Sequence, residues 1–271
     1  MRLPEGARGT PPTISGLPAA SDWSRLGGGH WSEIWRASLA DGRDVVVKRS
    51  PYPAQIEADG LRALGAAGVP VPEVYAAEGE VLVMAYVSGP SAWEQLGVAL
   101  AGAHWVTADR YGWHRDNRIG SLVQPNTWYE EWPAFFAACR IRPHLEAAAL
   151  PPEVRRRIEQ ALDGPLFDLL PIRPPVSLVH GDLWAGNVVG GRWLIDPAVA
   201  YADREYELAF MALFGDLPRR FWAAYEEAWP LEDGWQQRRP ALQLPHLLVH
   251  VRLFGAGYIP AVVERLDCVG W

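Results

Sequence analysis

The chain has a single lysine: Lys48 is the only one among its 25 Lys and Arg residues, the others all being arginine. Cysteine is nearly as scarce. Cys139 and Cys268 fit no metal-ligand or redox spacing, so two reduced thiols are expected rather than a disulfide. No uncharged apolar run reaches the roughly 18 residues that cross a bilayer. The opening stretch "MRLPEGARGTPPTISGLP" has no apolar segment behind its basic residue, so no secretory leader is expected. A cytoplasmic protein without a membrane partner follows as the expectation. Positive charge is also short, with a formal net charge of -7 and a pI near 5.5. A nucleic-acid partner, which calls for a basic stripe, is therefore not expected, and a cationic or neutral substrate remains admissible.

What is present suits an ordinary globular chain: 271 residues, 49% hydrophobic and 21% charged, long enough for one large domain or two lobes. The 14 tryptophans are expected in the core or in pocket walls. Residues 1–20 are rich in Pro, Gly, Ser and Thr without periodicity and read as a loose arm. From Trp23 the pattern turns β-like. "SEIWRASLA" and "DVVVKRS", joined at Asp41-Gly42, read as a hairpin. A helix follows in "PAQIEADGLRALGAAG", then two extended runs in "VPVPEVYAAEGEVLVMAYV". Ser88 to Pro90 break the chain. Beyond them the spacing predicts helices over Ser91–Thr107, Thr127–Ala149, Pro152–Leu170, Glu205–Phe214, Pro218–Trp229 and Arg238–Phe254, with Pro245 kinking the last or shifting its boundary. The expected fold is α+β and two-lobed: a small β-rich lobe over residues 21–87 and a larger α-rich lobe over 88–271.

One stretch interrupts the helical part. "LVHGDLWAGNVVGGRWLIDP" runs from an apolar strand into a polar loop, then through a tight hairpin turning at Gly190-Gly191. The hairpin folds Asp196 back towards Asn187. "HGDLWAGN" follows the kinase catalytic-loop template H-R-D-L-x-x-x-N, with Gly181 in place of the arginine. In that template the aspartate accepts the attacking hydroxyl's proton, while the asparagine and a later aspartate hold Mg²⁺. Asp182 is thus the candidate base, and Asn187 and Asp196 are the candidate metal ligands. Mg²⁺ accepts one carboxylate, one amide and nucleotide phosphates as its oxygen ligands. Lys48, after three valines, is the candidate phosphate anchor, with Glu57 on the next helix as its carboxylate. "LGGGHWSEIW" puts Gly27, Gly28 and Gly29 where backbone amides could cover phosphates. From position alone, backbone groups of Met84 and Tyr86 in "VMAYV" would meet the adenine edge. His246 and His250 are spaced i, i+4, but no third ligand accompanies them, and packing or pocket-lining roles are expected.

With these motifs in place, the chain resembles the fructosamine kinases, or ketosamine 3-kinases, of the aminoglycoside phosphotransferase-like branch of the kinase superfamily. "HGDLWAGNVV", "IDPAVAYADREYELA", "YEEAWPL", "GWHRDNRIGSLVQPN" and "HLLVHVRLFGAGY" carry the resemblance over Leu26 to Tyr258, and the "RLGGG" start resembles a bacterial member. The resemblance implies a protein-kinase-like fold, ATP and Mg²⁺ as cofactors, and transfer of the γ-phosphoryl to the 3-hydroxyl of a small or protein-bound ketosamine; a monomer is the expectation. It makes Lys48 and Glu57 the phosphate-anchoring pair, Asp182 the base, Asn187 and Asp196 the Mg²⁺ ligands, and Trp184 a wall against the substrate. Two departures stand out: the Gly-rich loop has no cysteine, so no loop redox switch is expected, and the arm lacks a helix. The alternatives are a same-fold kinase for an aminoglycoside, choline-like or homoserine-like hydroxyl, or a nucleotide-binding pseudokinase.

Overall fold

A computed structural model gives the architecture; it describes residues 11–12, 16–27, 32–215 and 217–271. The first ten residues and 13–15 of the expected arm, and Gly28 and Gly29 of the glycine-rich loop, lie outside the described residues.

The small lobe is one antiparallel sheet and a helix. Strands β1 (Ala20–Gly27), β2 (Glu33–Leu39) and β3 (Asp44–Arg49) precede helix α1 (Ala54–Ala66), and β4 (Val74–Glu78) and β5 (Val81–Ala85) follow it. Their order in the sheet is β1-β2-β3-β5-β4. Alternation along β3 decides where the lysine points. Val45 and Val47 enter the apolar cluster on one face with Ala37, Leu39 and Val83. Val46 and Lys48 take the opposite face, where Ala58 and Leu61 of α1 pack with Leu82 and Met84. A strand with two buried valines on one side thus delivers its lysine to the helix on the other.

The large lobe begins with α2 (Trp93–His104) and a short hairpin, β6 (Asn117–Ile119) and β7 (Leu122–Gln124), absent from the sequence expectation. The helix expected over Thr127–Ala149 starts later. Tyr129 is held in an extended bridge with Tyr111, and the helical run comprises α3 (Trp132–Phe135), a π-helical stretch over Phe136–Ile141, and α4 (Arg142–Ala147). The π stretch carries the buried Arg140, which donates to Pro125 O, Cys139 O and Asn126 Oδ1. The run expected over Pro152–Leu170 breaks at Gly164-Pro165 into α5 (Pro152–Leu162) and α6 (Pro165–Leu169).

Next come β8 (Ser177–Val179), a 3₁₀ turn (Ala185–Asn187), β9 (Val188–Val189), β10 (Trp193–Leu194) and β11 (Ala200–Ala202), with β9 pairing β10 and β8 pairing β11. Helices α7 (Arg204–Met211), α8 (Arg219–Ala228), α9 (Trp235–Phe254) and α10 (Ile259–Cys268) complete the lobe. Helix α9 runs on through Pro240 and Pro245. Leu242, Leu244, Leu247, Leu248 and Val251 anchor it in the main core, which outweighs the lost backbone donors. Helix α10 lies past the last expected helix, yet Ile259, Val262, Val263 and Leu266 are helically spaced. Cys139 is buried and Cys268 exposed, both free thiols. No helix among the described residues is long and apolar enough to cross a membrane.

Candidate active site in the cleft between the lobes

The site is assembled by the β8–β11 ladder and the β9–β10 hairpin. Strand β8 ends at His180, whose Nε2 donates to Ile195 O at 2.9 Å, while its Nδ1 accepts from Asp182 N at 3.3 Å. A carbonyl can only accept, so this pair of bonds fixes the ring tautomer, and burial keeps the ring neutral by lowering its pKa. Ala198 N donates back to His180 O. Gly181 comes next, at φ +82°. A Cβ there would stand 2.1 Å from Ala198 O, which explains why the template's arginine is missing. Its N–H donates to Glu207 Oε2 of α7 at 2.7 Å, and the other oxygen of that buried carboxylate lies 3.0 Å from His104 Nε2. Glu207 and His180 hold the loop from below; neither was given a role from the sequence, because the hydrogen bonds that define those roles form only in the folded chain.

Ile195 N donates to Asn187 O, which brings Asp196 beside Asn187. Asn187 Nδ2 donates to Asp182 O at 2.7 Å, leaving Oδ1 without a donor among the described residues. Asp196 takes a left-handed backbone with φ +57°, rare for a non-glycine residue and frequent at functional sites. Across the cleft, Lys48 Nζ donates to Glu57 Oε2 and to Asp196 Oδ1, each at 2.7 Å. One ammonium therefore ties β3, α1 and the large lobe together.

Charge in this cluster is strongly perturbed. Burial works against the Lys48 ammonium, but the carboxylates of Asp196 and Glu57 outweigh it and hold its pKa above the usual lysine range. Burial pushes the Glu57 carboxyl up to about 7, against the pull of Lys48. Asp196 meets the same burial, yet Lys48 brings its carboxyl below the usual range; its side chain is 40% exposed, so solvent screens part of this. Asp182 is raised well above that range, first by burial and then by the neighbouring Asp196 charge. Asp182, Asp196, Lys48 and Glu57 all line one cavity of about 190 Å³, together with Ser32, Ser50, Tyr52, Glu80, Leu82 and Arg118.

The remaining candidates fall nearby. Gly27 ends β1 and pairs with Ile34, itself the partner of Lys48, so the glycine-rich turn begins above the lysine. Trp184 is 40% exposed, its indole lying against Gly186. At the expected hinge the sheet ladder engages part of the backbone. Tyr86 N–H is donated to Asp44 O at 3.0 Å as the sheet ladder runs one residue past β5. Met84 sits inside β5 between Val46 and Val74, its side chain in the core. The next N–H, that of Val87, has no partner among the described residues. His246 is buried, stacked on Phe210 at 3.6 Å, with Nε2 3.3 Å from Gly181 O.

The donor set fits the group that this fold implies. Asn187 Oδ1 and the second oxygen of Asp196 are hard oxygen donors on adjoining backbone, suited to Mg²⁺ carried in with nucleotide phosphates. A model of the fructosamine kinase family matches residues 17–269. The chain belongs to that family. A Thermus thermophilus protein provisionally named a ketoamine kinase is 37% identical over 265 residues, covering 93% of this chain and 96% of its own. The crystal structure of a Thermobifida fusca protein provisionally named a fructosamine-3-kinase superposes with a TM-score of 0.86 at 38% identity, covering 93% and 94% of the two chains. A choline/ethanolamine kinase family protein from Mesorhizobium loti, at 18% identity and a TM-score of 0.61 over 94% and 89%, shares the fold. The family member described here is a kinase with a hydroxyl acceptor, and membership of a kinase-like family implies ATP as the phosphoryl donor.

Proposed function

We propose that this fructosamine kinase family member phosphorylates the 3-hydroxyl of ketosamines in the cytoplasm, with ATP and Mg²⁺, as a step in deglycation. The observation that carries the reading is the Lys48 ammonium held at 2.7 Å from both Glu57 and Asp196, in one cavity with Asp182. Lys48, fixed by Glu57, anchors the nucleotide phosphates. Asn187 Oδ1 and Asp196 hold the metal, which when bound neutralises charge on the carboxylate and on the phosphate oxygens. The acceptor hydroxyl oxygen bonds to the γ-phosphorus as the bond to the ADP oxygen breaks, and Asp182 takes the hydroxyl proton late. Burial and the neighbouring Asp196 charge raise its pKa, which makes its carboxylate a stronger proton acceptor. Trp184 flanks the acceptor, its flat face suited to the C–H side of a sugar and to a protonated amine. A phosphate at the third carbon is a good leaving group for elimination, which frees the amine.

The test is a phosphorylation screen over fructosamine, ribulosamine and erythrulosamine adducts, with aminoglycosides as controls. Ketosamines are expected to be turned over faster than any aminoglycoside, with the phosphate on the 3-oxygen. Asp182→Asn is expected to lower kcat by about 10² to 10⁴ while ATP binding persists. A preference for aminoglycosides, or an Asp182→Asn enzyme within a few-fold of the parent, overturns the assignment.

A further inference from the structure

The cavity has a wall that the phosphoryl-transfer roles leave unused. Hairpin β6–β7 presents Arg118 and Gly120 to it, and the link from β3 to α1 presents Ser50 and Tyr52. The Arg118 guanidinium lies over the Tyr52 ring, 3.8 Å from its centroid, and Nη1 donates to Ser121 O at 2.9 Å. No carboxylate among the described residues pairs with it, so Nε and Nη2 keep donors to offer. The other cation of the cavity, Lys48, already has two carboxylate partners, Glu57 and Asp196. Around these two cations stand four carboxylates: Glu57, Glu80, Asp182 and Asp196.

We propose that Arg118 is the specificity-determining residue for the acceptor, and that it selects ketosamines formed from free α-amino acids by binding their carboxylate. The inference rests on the ketosamine reading above. A guanidinium stacked on an aromatic ring and tied by one hydrogen bond has its plane fixed in advance, and its open edge matches a carboxylate in a bidentate fork. An α-amino-acid ketosamine is a zwitterion, with a secondary ammonium one carbon from the carboxylate. The acid-rich cavity suits the ammonium, and Arg118 suits the carboxylate. A ketosamine on a protein lysine side chain has no carboxylate at that distance, and an aminoglycoside has none at all to offer the same arginine. The transferring phosphoryl group is the other oxyanion within the cavity, and the experiment separates the two sources.

Turnover is measured with two matched acceptors, the ketosamine of glycine and that of glycinamide, which differ only in the carboxylate. The parent enzyme is expected to prefer the glycine adduct in kcat/KM by about tenfold or more, as befits a charge-assisted hydrogen-bonded pair. Arg118→Gln is expected to bring that ratio close to one by raising KM for the glycine adduct, and Arg118→Lys to retain part of it. Equal turnover of both adducts by the parent overturns the carboxylate role and leaves the ketosamine reading standing; this comparison needs no variant to fold. Turnover of neither adduct overturns the underlying reading instead. An equal fall in kcat on both adducts in Arg118→Gln, with the ratio preserved, assigns the arginine to the phosphoryl group and overturns the carboxylate role.

Discussion

Asp203 caps α7 with one oxygen, accepting from Glu205 N at 3.0 Å, and leaves its other oxygen buried without a partner. Burial first, and then the charge of Glu205, push this carboxyl up to about 7. In the unfolded chain an aspartate titrates near about 3.9. The folded state therefore binds more protons across that interval, so the group's contribution to stability is full below the unfolded value and lost as pH rises through about 7. Asn caps as well as Asp and carries no charge at any pH. Asp203→Asn is accordingly expected to melt above the parent at pH 8, with an advantage that shrinks steadily as pH is lowered to 5. Thermal melts from pH 5 to 8 check it, and parallel profiles for the two proteins refute the burial argument. At this scale the sequence is uneven in what it discloses. The Asp182, Asn187 and Asp196 string is legible because its chemistry is local, held within one loop and one hairpin. Glu207 and His180 are not, since their roles rest on a hydrogen bond to Gly181 and a carbonyl at Ile195 that only the folded chain supplies.

Helix α1 is gripped from the large lobe at two points. Its Asp59 forms an ion pair with Arg115 at 3.0 Å, and its Gly60 faces Pro197, the residue after Asp196. A Cβ at Gly60 would lie 2.9 Å from Pro197 Cγ, so the helix can come this close only with glycine there. Glu57 sits three residues earlier on the same side, and its reach to Lys48 depends on that approach. Alanine is the better helix former by about 1 kcal/mol, yet Gly60→Ala must displace α1 or the proline. The expected outcome is a melting temperature close to the parent's with kcat/KM for ATP down by about ten- to a hundredfold, the scale of a misplaced catalytic group. Kinetics within twofold of the parent would show that the contact does not set the ion pair. Element by element, β2 was readable by alternation because one face of it is buried, and β3 by its valine run, which is packed on both faces. The β6–β7 hairpin was not, since its three-residue strands are too short for a period and are held by Asn117 on Val199 O and by Gln124 on Asn117. The extent of the ladder past Ala85 was unreadable for a related reason: it depends on a partner strand, and Asp44 takes the N–H of Tyr86.

At the scale of the whole molecule, the single lysine turns an amine-specific reagent into a reporter of one side chain. Apart from the terminal α-amine, Lys48 Nζ is the only primary amine in the chain. It is 8% exposed, and Asp196 and Glu57 keep it protonated despite burial, so its lone pair is scarcely available to an acylating reagent or a reducing sugar. Every surface cation in its place is an arginine, which forms no ketosamine through an ε-amine. The native protein is therefore expected to take up acetyl groups, or ribose adducts, at the α-amine and far more slowly at Lys48, with the two rates converging once the chain is unfolded. MgATP is expected to slow modification of Lys48 further, because bound phosphates cover Nζ, and activity is expected to fall in step with Lys48 modification alone. Peptide mass spectrometry over a time course, with and without nucleotide, reads both rates in one sample. A Lys48 rate that equals the unfolded rate would contradict the buried ion pair, whereas a slow rate that MgATP leaves unchanged would remove Lys48 from the phosphate site.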